Sequence, residues 1–253
     1  MGCWWKKWSD APGERRNHVT KLSVEEIRAW GESLEGRQPQ EVLAAAIQRY
    51  SSKIVLACSF GAEDVVLVDM IHRIDPSIPL FYLDTEFLFP ETYSARDRII
   101  ERYDLKPAQV LRVTSLLTPA RQAEEHGEAL WKKDPDRCCQ LRKVEPLIRV
   151  LKGYGAWITG IRREQSSTRA NAKLIEWDAT FELVKVNPLA GWTWADVWAY
   201  IHVYEVPYNE LHDRNYPSIG CTHCTSPVMP GEDPRAGRWK NQAKTECGLH
   251  KAS

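Results

Sequence analysis

No stretch of this chain is apolar for anything near the roughly 20 residues that a membrane-crossing helix needs. The opening segment, Met1-Gly2-Cys3-Trp4-Trp5-Lys6-Lys7-Trp8, lacks the apolar core of roughly 7–15 residues that marks a secretory signal. It also lacks the Ser or Thr of a myristoylation site, because Lys6 stands at that position. There is no charge excess: Lys and Arg number 34, and so do Asp and Glu. No long-range field therefore draws the chain to nucleic acid or to a membrane. Internal repeats and low-complexity tracts are missing too. A cytoplasmic protein is expected, with no nucleic-acid and no membrane partner. In a reducing cytosol, seven cysteines point to metal or redox chemistry rather than structural disulfides.

What is present is ordinary in bulk. With 253 residues, 43% hydrophobic and 27% charged, the chain can build one large α/β domain or two small ones. Ser23-Val24-Glu25-Glu26 is a capping-box start for a helix to about Glu35, and Pro39 opens a second helix to about Tyr50. Lys53–Cys58 reads as a buried strand, followed by an apolar helical stretch over Val65–Ile74. Pro79–Leu83 is a second strand, Pro90–Tyr103 a helix, Gln109–Val113 a third strand and Ala156–Ile161 a fourth. Trp192–Tyr204 reads as a Trp-rich packing helix. Strands alternating with helices predict a doubly wound, mainly parallel α/β sheet, with ligands beyond the carboxyl ends of its strands. From Asn215 onward Pro, Gly and charge dominate, which predicts a loop-rich C-terminal tail. The expected divisions are an N-terminal extension with the first helix over 1–38, a nucleotide-binding α/β domain over 39–214, and a C-terminal segment over 215–253.

Four cysteines come in two tight pairs, Cys138-Cys139 and Cys221-Thr222-His223-Cys224. Four convergent thiols suit a metal or an iron–sulfur cluster, and spacing alone does not separate zinc from iron–sulfur. Two buried cysteines plus an unrelated CxxC redox pair is the plainer alternative. Adjacent residues point apart on a helix, so Cys138 and Cys139 need a bend or kink to face one site. His223, between the second pair, is expected to touch the site at most indirectly. A fifth cysteine, Cys247, stands alone on the tail among Lys244, His250 and Lys251, with Gly248 allowing a bend. A thiol beside cations suggests a nucleophile; a casual exposed thiol is the alternative. Cys58 reads as a small core residue at a strand end.

Ser59-Phe60-Gly61-Ala62-Glu63-Asp64 follows a strand and precedes a helix, where backbone N–H groups bind phosphate. It resembles the Ser-Gly-Gly-x-Asp-Ser loop of ATP pyrophosphatases. Phe60 in place of the first Gly, with the acidic Glu63-Asp64, suits a nucleotide with fewer phosphates than a triphosphate. Arg142, Lys143, Arg162, Arg163, Arg169, Arg235 and Arg238 lie at strand-end loops or beside cysteines, and guanidinium forks fit phosphate and sulfate oxygens.

Together these motifs resemble the assimilatory adenylyl-sulfate (APS) reductases of bacteria, the iron–sulfur type of the PAPS reductase family. The segments that carry the likeness are Cys138–Lys143, Tyr216–Cys224, Lys244–His250, Ser59–Asp64, Leu83-Asp84-Thr85 and Thr159–Arg163; it spans roughly residues 40–250. The resemblance implies an adenine-nucleotide α-hydrolase-like fold. It implies thioredoxin-dependent reduction of adenosine 5′-phosphosulfate (APS) to sulfite and AMP in sulfate assimilation and cysteine biosynthesis. By that likeness Cys138, Cys139, Cys221 and Cys224 ligate a 4Fe-4S cluster and Cys247 is the catalytic nucleophile, forming a cysteine S-sulfonate. Lys143, Arg169, Arg235 and Arg238 match positions that contact the phosphosulfate, and His250 a residue that closes over the nucleotide. Ser59, Phe60, Gly61, Asp64, Leu83, Asp84, Thr85, Gly160, Arg162 and Arg163 complete the expected substrate-binding set.

The related reductases of 3′-phospho-APS (PAPS) keep the terminal Glu-Cys-Gly-Leu-His but lack the cluster cysteines. All four are present here, which favours APS, with PAPS or dual specificity as the alternative. An ATP pyrophosphatase-type thiolation enzyme and a zinc-stabilised nucleotide-binding module are the more distant readings. Oligomeric state is open, a homo-oligomer included.

Overall fold

The computed structural model describes residues 22–240, Gln242, Lys244 and 246–249; the Trp-rich start, Cys3 and His250 lie outside the described residues. Six strands form one sheet: β1 (Ile54–Ala57), β2 (Leu80–Asp84), β3 (Val110–Thr114), β4 (Ala156–Ile158), β5 (Ile175–Asp178) and β6 (Leu183–Val186), in the order β3-β2-β1-β4-β6-β5. Every pairing is parallel except β5 with β6. Alternation along β1 feeds two cores. Ile54 and Leu56 face one layer with Ile158, while Val55 faces another with Phe81 and Trp157.

Helices α1 (Val24–Leu34), α2 (Pro39–Tyr50), α3 (Ala62–Ile74) and α9 (Trp194–Tyr204) belong to the first layer. Ile27, Leu43, Val66 and Val197 are its buried contributions. Between them α4 (Pro90–Arg102), α5 (Pro119–His126), α6 (Leu130–Lys133), α7 (Pro135–Cys139) and α8 (Glu145–Leu151) complete the set; α8 supplies Leu147 and Leu151 to the second layer. Asp69 of α3 is 1% exposed and accepts hydrogen bonds from Tyr103 (2.9 Å) and Tyr200 (2.6 Å) while pairing with Arg73 (2.7 Å). That buried carboxylate ties α3 to α9 and to the end of α4.

Two features depart from the sequence reading. Helix α3 starts at Ala62, with Gly61 as N-cap, rather than at Val65. Glu63 and Asp64 therefore occupy its first turn, where carboxylates are favoured by the exposed N–H groups. Strands β5 and β6 were not anticipated. Their four-residue segments carry Glu176 and Lys185, which pair with each other at 3.4 Å across the ladder and interrupt any apolar run. Gly31 of α1 packs so closely on β5 that a Cβ there would meet Ile175 O at 2.7 Å.

Because β1 has β2 on one side and β4 on the other, the chain winds outward in both directions from it. The crevice at its carboxyl end is where such sheets bind ligands.

Candidate active site

A cavity of about 630 Å³ opens at that point, within the range of small-molecule sites. The loop after β1 lines one side with Ser59, Phe60, Gly61 and Asp64, and the exit of β2 contributes Leu83 and Thr85. The exit of β4 adds Gly160 and Arg162, and Lys143, Arg169, Arg235, Arg238 and Cys247 lie in the same wall. Asp84 and Arg163 are not part of it. Asp84 accepts from Tyr93 (2.7 Å) and Arg112 (2.6 Å), and Arg163 pairs with Glu35 at 2.8 Å.

The β1–α3 loop is held by its own side chains. Asp64 accepts from both the backbone N–H and the hydroxyl of Ser59 at 2.6 Å. Burial raises its carboxyl to about 6 against the lowering effect of those bonds. Phe60 takes φ 59° and is 1% exposed, its ring edge-on to Tyr82 at 5.5 Å. A left-handed backbone favours glycine, which is what the pyrophosphatase pattern has at this place; here ring burial holds a phenylalanine in it. Gly160 is required for the closeness of β4, since a Cβ would meet Asp64 Oδ1 at 2.4 Å.

Both cysteine pairs line a second, smaller recess with Phe87, Trp131, Arg142, Lys143, His223 and Trp239. Asp134 caps α7 by accepting from Arg137 N–H at 2.9 Å, and a π-helical turn over Gln140–Val144 follows at once. That turn follows the pair rather than separating it: both cysteines lie within α7 and still line the one recess. The two pairs meet through the loop after β2. Arg142, 1% exposed, donates to Glu86 (2.8 Å), Gln122 (2.7 Å) and Thr85 O (3.3 Å). On the other side Thr222 N–H donates to Phe87 O at 2.8 Å, and Thr85 Oγ1 lies 3.2 Å from Cys221 Sγ. Sequence reasoning assigned Asp84-Thr85 to nucleotide binding and missed this tie; the partner of Glu86 lies 56 residues away, so no local pattern marks it. His223 stacks on Trp131 at 3.9 Å and 7°, walling the recess.

No three His, Cys, Asp or Glu side chains among the described residues converge on a single-ion site. The donor set nevertheless fits an iron–sulfur cluster: four cysteines face one recess and have no disulfide partners. Burial, and the neighbouring thiols with it, pushes Cys138 up to about 12; burial pushes Cys139 up to about 11. Such thiols ionise when a cation binds them. Buried donors stand without partners beside them, Arg142 Nη2 and Trp239 Nε1.

Cys247 behaves differently. Burial pushes its thiol up, but Lys143, the Leu249 backbone N–H and Arg238 outweigh it and hold the thiol below its ordinary value. Burial disfavours charge on Lys143 as well, yet the sulfurs of Cys221 and Cys247 raise it further and keep the ammonium charged. Arg238 rests on Gly220, where a Cβ would meet its Nη2 at 2.4 Å, and donates to Ser218 at 3.2 Å.

Residues 53–227 match the family described as the phosphoadenosine phosphosulfate reductase domain. The chain is 50% identical over 217 residues to an adenosine 5′-phosphosulfate reductase of Shouchella clausii, covering 86% of this chain and 89% of that one. It is 48% identical over 235 residues to a phosphoadenosine 5′-phosphosulfate reductase of Gloeobacter violaceus, covering 92% and 95%. Among solved structures it resembles the phosphoadenylyl-sulfate reductase of Candida auris in its phosphate complex, with a TM-score of 0.72, 33% identity, and coverage of 83% of this chain and 99% of that one. The fold is adenine-nucleotide α-hydrolase-like, and the chain belongs to the phosphoadenosine phosphosulfate reductase family.

Proposed function

We propose that the protein reduces adenosine 5′-phosphosulfate to sulfite and AMP, with thioredoxin as electron donor, in sulfate assimilation. The observation that carries this reading is the position of Lys143, in the wall shared by the four-cysteine recess and the cavity that holds Cys247. The Cys247 thiolate attacks the terminal sulfur of the phosphosulfate. An S–S bond forms, the S–O bond breaks with its electron pair going to the phosphate oxygen, and AMP departs. Lys143, Arg235 and Arg238 offset the repulsion between anionic nucleophile and anionic substrate, and they stabilise charge on the leaving phosphate. One thioredoxin thiolate then attacks Cys247 sulfur and expels sulfite with the electron pair. The second thiol resolves the mixed disulfide, leaving oxidised thioredoxin and the Cys247 thiolate.

Cys138, Cys139, Cys221 and Cys224 hold the 4Fe-4S cluster on this reading. When bound, the cluster supplies electrostatic and structural support beside the substrate, since the two thioredoxin thiols carry both electrons. Among the described residues no helix is long and apolar enough to cross a membrane, and we place the reaction in the cytoplasm, where thioredoxin is kept reduced. The loops at the strand ends of the nucleotide site belong to the α/β unit over 39–214, and the segment over 215–253 supplies Arg235, Arg238 and the nucleophile.

Relatives bear both the APS and the PAPS name, so the test compares the two. Anaerobic protein is mixed with reduced thioredoxin and either nucleotide, and sulfite and AMP or 3′-phospho-AMP are measured. Faster sulfite release from APS supports the assignment; release from PAPS alone overturns it. Pyrophosphate from ATP and magnesium, without sulfite from either nucleotide, would favour the thiolation reading.

A further inference from the structure

The carboxylate next to the nucleophile is engaged on three sides. Glu246 accepts from Arg169 Nε (3.1 Å) and Nη2 (3.0 Å) and from Thr168 Oγ1 (3.2 Å), and it pairs with Arg235 Nη2 at 3.0 Å. All three charged side chains are largely buried, with 16% of Glu246, 12% of Arg169 and 15% of Arg235 exposed. Such pairs hold position better than solvated ones. Arg169 spends its remaining nitrogen on Gln165 (2.6 Å), which in turn donates to Glu63 (3.0 Å) and Gly160 O (3.1 Å). The tail is thereby fastened to the rim of the cavity at the residue before Cys247. A second ion pair, Lys244 with Asp136, lies on a carboxylate that is 83% exposed and contributes less. Just after Cys247 the chain turns at Gly248, φ 82°, and Leu249 packs on the second core layer.

We infer that Glu246 is a positioning residue for the reaction: clamped between Arg169 and Arg235, it latches the tail so that the Cys247 sulfur points into the cavity. The inference rests on the reading of Cys247 as nucleophile. It gives the glutamate a task of its own and makes Arg169 a tail anchor through that carboxylate.

The test is the rate of Cys247 alkylation by iodoacetamide in the anaerobic holoenzyme without nucleotide, read by mass spectrometry on the Cys247 peptide across a pH series. The plateau rate above the thiol's titration reports access to the sulfur, whereas the midpoint reports its charge. Glu246→Gln raises the plateau at least fivefold, Glu246→Asp stays within twofold of wild type, and Glu232→Gln, on the exposed loop of the same segment, does not change it. A Glu246→Gln plateau within twofold of wild type, or a Glu246→Asp plateau as high as that of Glu246→Gln, overturns the latch. Because no turnover is needed, this outcome is separate from whether APS is the substrate.

Discussion

Lys143 and Cys247, far apart in sequence, are coupled inside the fold: each favours the charged form of the other despite burial. An ammonium in the wall of the cavity and an acidified thiol in the same cavity are what an anionic nucleophile needs when its substrate is also an anion.

The first prediction follows from the sign of that coupling. Cys247 is an acid held below its ordinary value, so its thiolate is populated from below the usual thiol range upward. Removing the ammonium with Lys143→Met takes away the strongest of the influences that lower the thiol, and so raises it. The midpoint of the Cys247 alkylation profile moves to higher pH, and kcat/KM at neutral pH falls by roughly 10²–10³. An unchanged midpoint would remove Lys143 from the account.

Glu86 and Arg142 carry the second. Arg142 is the buried partner, 1% exposed in its side chain against 28% for Glu86. Glu86→Gln leaves that guanidinium without its carboxylate and costs on the order of 2–3 kcal/mol in urea unfolding, below the 3–5 of a fully buried pair. Since this pair joins the two cysteine segments, iron per chain also falls. Arg142→Met costs more than Glu86→Gln, because it also takes the donor from Gln122 Oε1 and Thr85 O. An Arg142→Met variant as stable as Glu86→Gln would contradict this.

Phe60 gives a third with an unusual order. Its left-handed backbone costs about 1–2 kcal/mol, and its buried ring contributes about 3–5. Packing wins, so both Phe60→Ala and Phe60→Gly destabilise. Alanine keeps the unfavourable φ while glycine does not, so Phe60→Gly is the more stable of the two, by about 1 kcal/mol. Thermal unfolding of the pair decides the order.

These examples also show what the residues disclosed before folding. The apolar runs around Val55 and Phe81 and the Pro-started helices marked the sheet and its alternation, because burial on both faces leaves a continuous signal. The cysteine pairs and the Ser59–Asp64 loop were legible because their chemistry is confined to short segments. Strands β5 and β6 were not, since each is only four residues long and Glu176 and Lys185 break the apolar run that marked the other strands. Asp84 and Arg163 read as ligand contacts by sequence; neither lines the cavity, and they pair with Arg112 and Glu35. Glu246 hid inside a cysteine motif, with Arg169 as its partner 77 residues earlier.

The measurement that bears most directly on the whole account follows the label of sulfur-35 APS mixed with the protein in the absence of any reductant. The account predicts one label per chain on the Cys247 peptide, released as sulfite when reduced thioredoxin is added, and none on Cys247→Ser. Sulfite released at the wild-type rate by Cys247→Ser, or label held on any other residue, would contradict it.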